Sequence, residues 1–187
     1  MMTKNIKTLF ALCWAVVAAS SVLTSCTDDD IPDNFYSSTK LTAAGFIESD
    51  AARFSDFQQI LSRGNYLSML GTYGTYTLFA PTNDAVRQWL GENGYSSVDE
   101  LPQEQCDTLA RNHIVRTRAL FTTDFSSSSA PMNMNDTYVE LTCDSDVTNN
   151  NALVVWVNTH SKMIERDDSV TNGVVHVLNN TISSSSM

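Results

Sequence analysis

The spacing of apolar residues changes once along this chain, and that change decides the class of fold. Up to His113 the apolar positions recur at helical intervals. Ser55 precedes Phe57, Ile60 and Leu61, and Gly64 offers a left-handed stop, which predicts a helix between them. Tyr66, Leu67, Met69 and Leu70 make a second short apolar turn closed by Gly71. Tyr76 to Ala80 reads as a strand. Pro81 prevents that strand from continuing, Thr82 caps the next helix, and Asp84 stands in the first turn, where the helix dipole favours an anion. Val86, Trp89 and Leu90 are the apolar stripe of that helix. Ser97 with Glu100 reads as a capping box, and Cys106, Leu109, Ala110 and His113 follow at i, i+3, i+4 and i+7.

Beyond that point the period becomes two. Val139, Leu141 and Cys143 alternate with Tyr138, Glu140 and Thr142, which predicts a strand with one buried face. Asp144 to Asn151 reads as a polar turn region. Leu153 to Val157 is a continuous apolar run, expected to be a strand buried on both faces. Ser161 to Glu165 is a weaker strand, Asn172-Gly173 a turn, and Val174 to Leu178 the last strand. N-terminal helices followed by mostly antiparallel strands define an α+β domain. No internal repeat is present, and Ser126 to Ser129 and Ser183 to Ser186 are low-complexity pieces.

The N-terminus reads as an address. Lys4 and Lys7 precede an eleven-residue apolar run, Leu9 to Ala19, which is short for a bilayer-spanning helix. The segment ends Leu23-Thr24-Ser25-Cys26. This resembles the lipobox of bacterial lipoproteins, in which the cysteine thiol receives a diacylglyceryl group and cleavage exposes an amine that is acylated in turn. The resemblance implies a signal peptide over 1–25, lipidation at Cys26 and a membrane anchor through the lipid. Asp28, Asp29 and Asp30 follow, similar to the export signal that carries some Gram-negative lipoproteins to the outer face of the outer membrane. The expected location is therefore the outer membrane, lipid-anchored and exposed on the cell surface. Residues 26–40 read as an acidic flexible tether, 41–182 as the folded domain and 183–187 as a serine-rich tail.

Charge narrows the partners. The formal net charge is −10. Of 11 basic residues, Lys4 and Lys7 leave with the signal, so nine face 21 acidic ones and the processed chain carries −12. That balance excludes nucleic acid, whose binders need a basic footprint. Cys13 also leaves and Cys26 is acylated, so Cys106 and Cys143 remain. They are read as two buried free thiols or as a disulfide.

Two separated segments carry a resemblance that spans most of the domain. Thr75-Tyr76-Thr77-Leu78-Phe79-Ala80-Pro81-Thr82-Asn83-Asp84-Ala85-Val86 is similar to the first signature box of the fasciclin domain, and Thr171-Asn172-Gly173-Val174-Val175-His176-Val177-Leu178 to the second. Leu109 to Val115 resembles the segment between them. The resemblance implies a β-wedge or sandwich with packed helices, an adhesion or protein–protein interaction role, no catalysis and no cofactor. The family often has Tyr-His in the central segment, a pair implicated in adhesion. Here the pair is Asn112-His113, and Asn179 stands where an aspartate is frequent.

Reactive chemistry is sparse. His113 and His176 fall in apolar patterns and read as core histidines, and His160 as a solvated one. No His or Cys pair has metal-ligand spacing. Asp167-Asp168 beside Glu165 lacks the ligand spacing of a calcium loop. A nucleophile elbow and a phosphate-binding glycine loop are both missing. The candidate ligand contacts are Tyr73 and Tyr76, flanking a glycine turn, Tyr95 after Gly94, and His113. Asp168-Ser169-Val170 resembles a bacterial O-glycosylation motif in an expected loop, making Ser169 the candidate acceptor; Asp107-Thr108-Leu109 is a second match. The functional expectation is a non-enzymatic surface lipoprotein that contacts a protein or glycan ligand. The alternative is an accessory glycan-binding component of an outer-membrane uptake complex.

Overall fold

The structure, a computed structural model, describes residues 40–125, 130–146 and 152–183. The signal segment, Cys26, the Asp28–Asp30 run and most of the tether lie outside them, as do the Ser126–Ser129 loop and most of the serine tail.

Five α-helices and six strands make up the described part. Helix α1 (Ala43–Ser49) is capped by Thr42, whose hydroxyl accepts from the Gly45 N–H, and α2 (Ala51–Arg63) by the Asp50 carboxylate, which accepts from Arg53 N–H. The α1 helix was not legible in the sequence. Helix α2 begins four residues before the expected Ser55 start, because Phe54 extends the buried stripe of Phe57, Ile60 and Leu61 upstream. Its stop also differs. Gly64 is right-handed (φ −75), and the left-handed residue is Asn65 (φ 65), after which the Tyr66 N–H closes onto Leu61 O. Helix α3 (Leu67–Leu70) is one turn, α4 (Asn83–Glu92) has the expected Thr82 cap, and α5 (Gln103–Asn112) ends at His113. The Ser97–Glu100 capping box does not form. Val98–Glu100 is a 3-10 turn without a side-chain cap, and the Glu100 carboxylate accepts from Ser96 N–H instead.

The strands are β1 (Tyr76–Pro81), β2 (Ile114–Arg116), β3 (Leu141–Asp146), β4 (Ala152–Val157), β5 (Ser161–Val170) and β6 (Gly173–Leu178). They form one sheet in the order β2-β1-β6-β5-β4-β3. The central pair, β1 and β6, is parallel, and the other four pairings are antiparallel. Three expectations need correction. Asp144 to Asp146 belong to β3 and not to a turn. β4 is not buried on both faces: only Trp156 and Val157 pair with β5, so Leu153 is exposed. β5 runs to Val170, with register shifts at Met163/Glu165 and Glu165/Asp168 and Asp167 at φ 64, which hid its second half from a period-two reading.

Alternation along the central strands divides the interior in two. Tyr76, Leu78, Ala80, Val175 and Val177 face a helical core with Phe54, Phe57, Ile60, Leu61, Val86 and Leu109. Phe79 and Leu178 face a second core with Val115, Leu120, Val139, Leu141, Val155, Val157 and Met163, where the sheet curls over itself.

Candidate functional site

The two signature boxes meet at the start of the central strand pair. Tyr76 pairs with Gly173, whose φ is 147, and a Cβ there would collide with the Tyr76 carbonyl, so only glycine permits the approach. Each box also contributes a buried asparagine that binds backbone. Asn172 Oδ1 accepts from Ala43 N–H at 2.8 Å, and its Nδ2 donates to the carbonyls of Leu70 and Thr72, both at 2.8 Å. Asn83 Oδ1 accepts from Asp56 N–H at 2.9 Å while Nδ2 donates to Ala52 O at 3.0 Å, joining α4 to α2. Sequence reasoning missed both clamps; their signal was an asparagine inside each box.

The structure separates the candidate ligand contacts. Tyr73 is fully exposed at the tip of the Gly71–Gly74 turn. Tyr76 is only 5% exposed, and its ring fills the space over Gly74 where a side chain would stand. As a ligand contact it is corrected: it is a core tyrosine. Tyr95 is half-buried and packs on the helical core. His113 is fully buried. Its Nδ1–H donates to Leu109 O at 2.7 Å and its Nε2 accepts from Ile182 N–H at 2.8 Å, so no face is left for a ligand. Asn112 beside it is held by the hairpin Met132–Tyr138: Asn133 Nδ2 donates to Asn112 O and Asn135 Nδ2 to Asn112 Oδ1. That hairpin exposes Met132 and Tyr138, which sequence reasoning did not single out. Ser169 is exposed but lies in β5, paired with Val174, and not in a loop; its Oγ accepts from Lys40 Nζ at 3.1 Å.

The titratable groups are tuned for packing. Burial lowers the His113 pKa to about 4, opposed by the Leu109 hydrogen bond. His176 is lowered by the same cause; its Nε2–H donates to Leu120 O at 2.8 Å and Nδ1 accepts from Asp167 N–H at 3.2 Å. Burial pushes the Cys106 thiol up, away from a nucleophilic thiolate. Cys106 and Cys143 are free thiols, the first buried in α5 and the second half-buried in β3. Among the described residues, three or more His, Cys, Asp or Glu side chains nowhere converge to hold a metal ion. Asp168 is the strained carboxylate: Oδ2 is buried without a partner, and desolvation and then Glu165 raise its pKa.

These features define an α+β domain that keeps His113 and His176 as neutral core residues and offers exposed aromatic and apolar side chains at its surface. The fasciclin domain model matches residues 52–184, and the chain belongs to the fasciclin domain family, known for cell adhesion. Domains of this family are typically non-enzymatic. The fold is similar to the solved FAS1 domain pair of the insect cell adhesion molecule fasciclin I, at 16% identity and a TM-score of 0.63. That likeness covers 77% of this chain and 51% of the other, so the chain spans about half of that domain pair. No curated protein sequence matches this chain.

Proposed function

We propose that this chain is a lipid-anchored cell-surface protein whose fasciclin domain mediates adhesion through contact with a protein partner. The observation that carries this reading is the combination of a fasciclin fold with Leu23-Thr24-Ser25-Cys26 ahead of it. Acylation at Cys26 supplies several chains, enough for durable anchoring where one chain binds only reversibly. Asp28 to Asp30 support export to the outer face of the outer membrane.

Mass spectrometry of the processed N-terminus tests the anchor: the expected product begins at Cys26 with an acylated amine and a diacylglyceryl thioether. Cys26→Ala is expected to move the protein out of the membrane fraction. Protease shaving of intact cells tests exposure, and complete protection would remove the surface location.

The glycan-binding alternative loses half of its proposed platform, because Tyr76 is a core residue and Tyr73 stands alone. A ligand contact through His113 has no support in the geometry either, since both ring nitrogens are engaged.

A further inference from the structure

One end of the domain gathers features that neither core uses. The chain arrives there from its N-terminal segment: Leu41 O accepts from Thr171 N–H at 2.9 Å, and Asn172 joins Ala43 to Leu70 and Thr72. Tyr73 follows Thr72 directly and is fully exposed, and Leu41 is 47% exposed. On the other side of Gly173 and Tyr76, Arg116 stands opposite Tyr76 in β2, and Arg118 O accepts from the Thr77 hydroxyl at 2.8 Å. Two strand spacings, about 10 Å, therefore separate Gly173 from Arg116.

Three cations gather at this end, while Arg63 and Arg166 elsewhere donate to backbone carbonyls. Arg53, Arg87 and Arg111 each sit on a carboxylate. Lys40, Arg116 and Arg118 are exposed and form no ion pair among the described residues; Lys40 donates only to the Ser169 hydroxyl. Glu48 borders the end across a groove of about 610 Å³ shared with Thr42, Ser68 and Gly71. A processed chain of charge −12 thus places three unpaired cations, a free tyrosine and a free leucine around the point where its N-terminal segment joins.

We propose that this end of the domain rests on a lipid headgroup surface, with Tyr73 and Leu41 at the interface and Lys40, Arg116 and Arg118 against lipid phosphates. The inference builds on the lipid anchor proposed above. Residues 26–39 number 14 and reach at most about 50 Å from Cys26, so the bilayer is within range and this end is the one drawn toward it. Tyrosine suits the boundary, with an apolar ring and a wet hydroxyl. Cations near an anionic headgroup layer gain attraction that paired arginines cannot.

The test uses the processed lipoprotein in vesicles of phosphatidylethanolamine and phosphatidylglycerol carrying lipids brominated near the headgroup. Tyr73→Trp is compared with Ile164→Trp, an exposed site at the opposite end beside Thr82 and Asn179. Emission of the unsubstituted protein, from Trp89 and Trp156, is subtracted. The expected result is quenching about threefold stronger for Tyr73→Trp than for Ile164→Trp, falling to the Ile164→Trp level when Arg116→Glu and Arg118→Glu are combined. Equal quenching at the two sites, or none at either, overturns the proposal and assigns Tyr73 to a soluble partner. An acylated Cys26 in the same sample shows that the anchor stands while this contact fails; an unmodified Cys26 removes both.

Discussion

The two faces of the central sheet are covered in different ways. The helical core is built mainly from Ala43 to Ile114, a nearly contiguous stretch, completed by Val170, Val175 and Val177. The strand core takes Phe79, Val115, Leu120, Val139, Leu141, Val155, Met163, Leu178 and Ile182 from segments scattered over the rest of the chain. Each core holds one neutral histidine against aromatic rings. His113 lies 5.3 Å from the Phe57 ring, and His176 lies 5.7 Å from Phe79 and 5.9 Å from Phe125. The first core rests on local helical packing. The second rests on strand pairings that exist only when the whole sheet does.

Truncating one aromatic per face gives the largest effect. Phe57→Ala and Phe79→Ala, both at fully buried positions, are each expected to cost about 3–5 kcal/mol in denaturant unfolding. A loss below about 1 kcal/mol for Phe79→Ala would mean that the strand side is a cover and not a core.

Acid comes next. Desolvation holds the His113 pKa near 4 and lowers that of His176. The unfolded chain protonates both histidines near pH 6.5, while the folded chain keeps His113 neutral down to about 4. Stability from His113 is therefore present in full above pH 6.5 and falls as pH drops toward 4, by up to about 1.4 kcal/mol per pH unit, and His176 contributes in the same direction. Thermal unfolding between pH 7 and 5 measures the slope. His113→Gln, whose amide can still donate and accept, is expected to flatten it; an unchanged slope would assign the whole effect to the strand core.

Asn172→Ala breaks the clamp that ties the helical side to the β5–β6 turn. It leaves Ala43 N–H and Leu70 O unpaired and is expected to cost about 2–3 kcal/mol, read as faster amide exchange in α1 before the strands. The smallest effect has the opposite sign. Asp168→Asn removes a charge that burial and Glu165 disfavour, and a gain of about 0.5–1 kcal/mol at pH 7 is expected in thermal unfolding.

The same contrast explains what could be read in advance. Thr82 capping α4 and the Asn172-Gly173 turn depend on neighbours in sequence, so residue order was enough. The second half of β5 was hidden because Ile164, Arg166 and Asp167 sit in register shifts fixed by β6, which comes later in the chain. Tyr73 and Tyr76 look equivalent beside one glycine turn. Only the parallel pairing of β1 with β6 turns one inward and leaves the other in solvent. His113 followed the helical period correctly as a core residue, and it failed as a ligand contact because its Nε2 is taken by the N–H of Ile182, 69 residues further along the chain and outside any local pattern.

The parallel pairing has a further consequence for how the chain is made. β6 lies between β1 and β5 yet comes last in chain order among the described strands. Until residues 173–178 are available, β1 has no partner on that edge and the sheet stays open. Closure of the sheet therefore waits for a strand more than ninety residues away from its parallel partner, a non-local pairing that forms slowly beside the local helical packing.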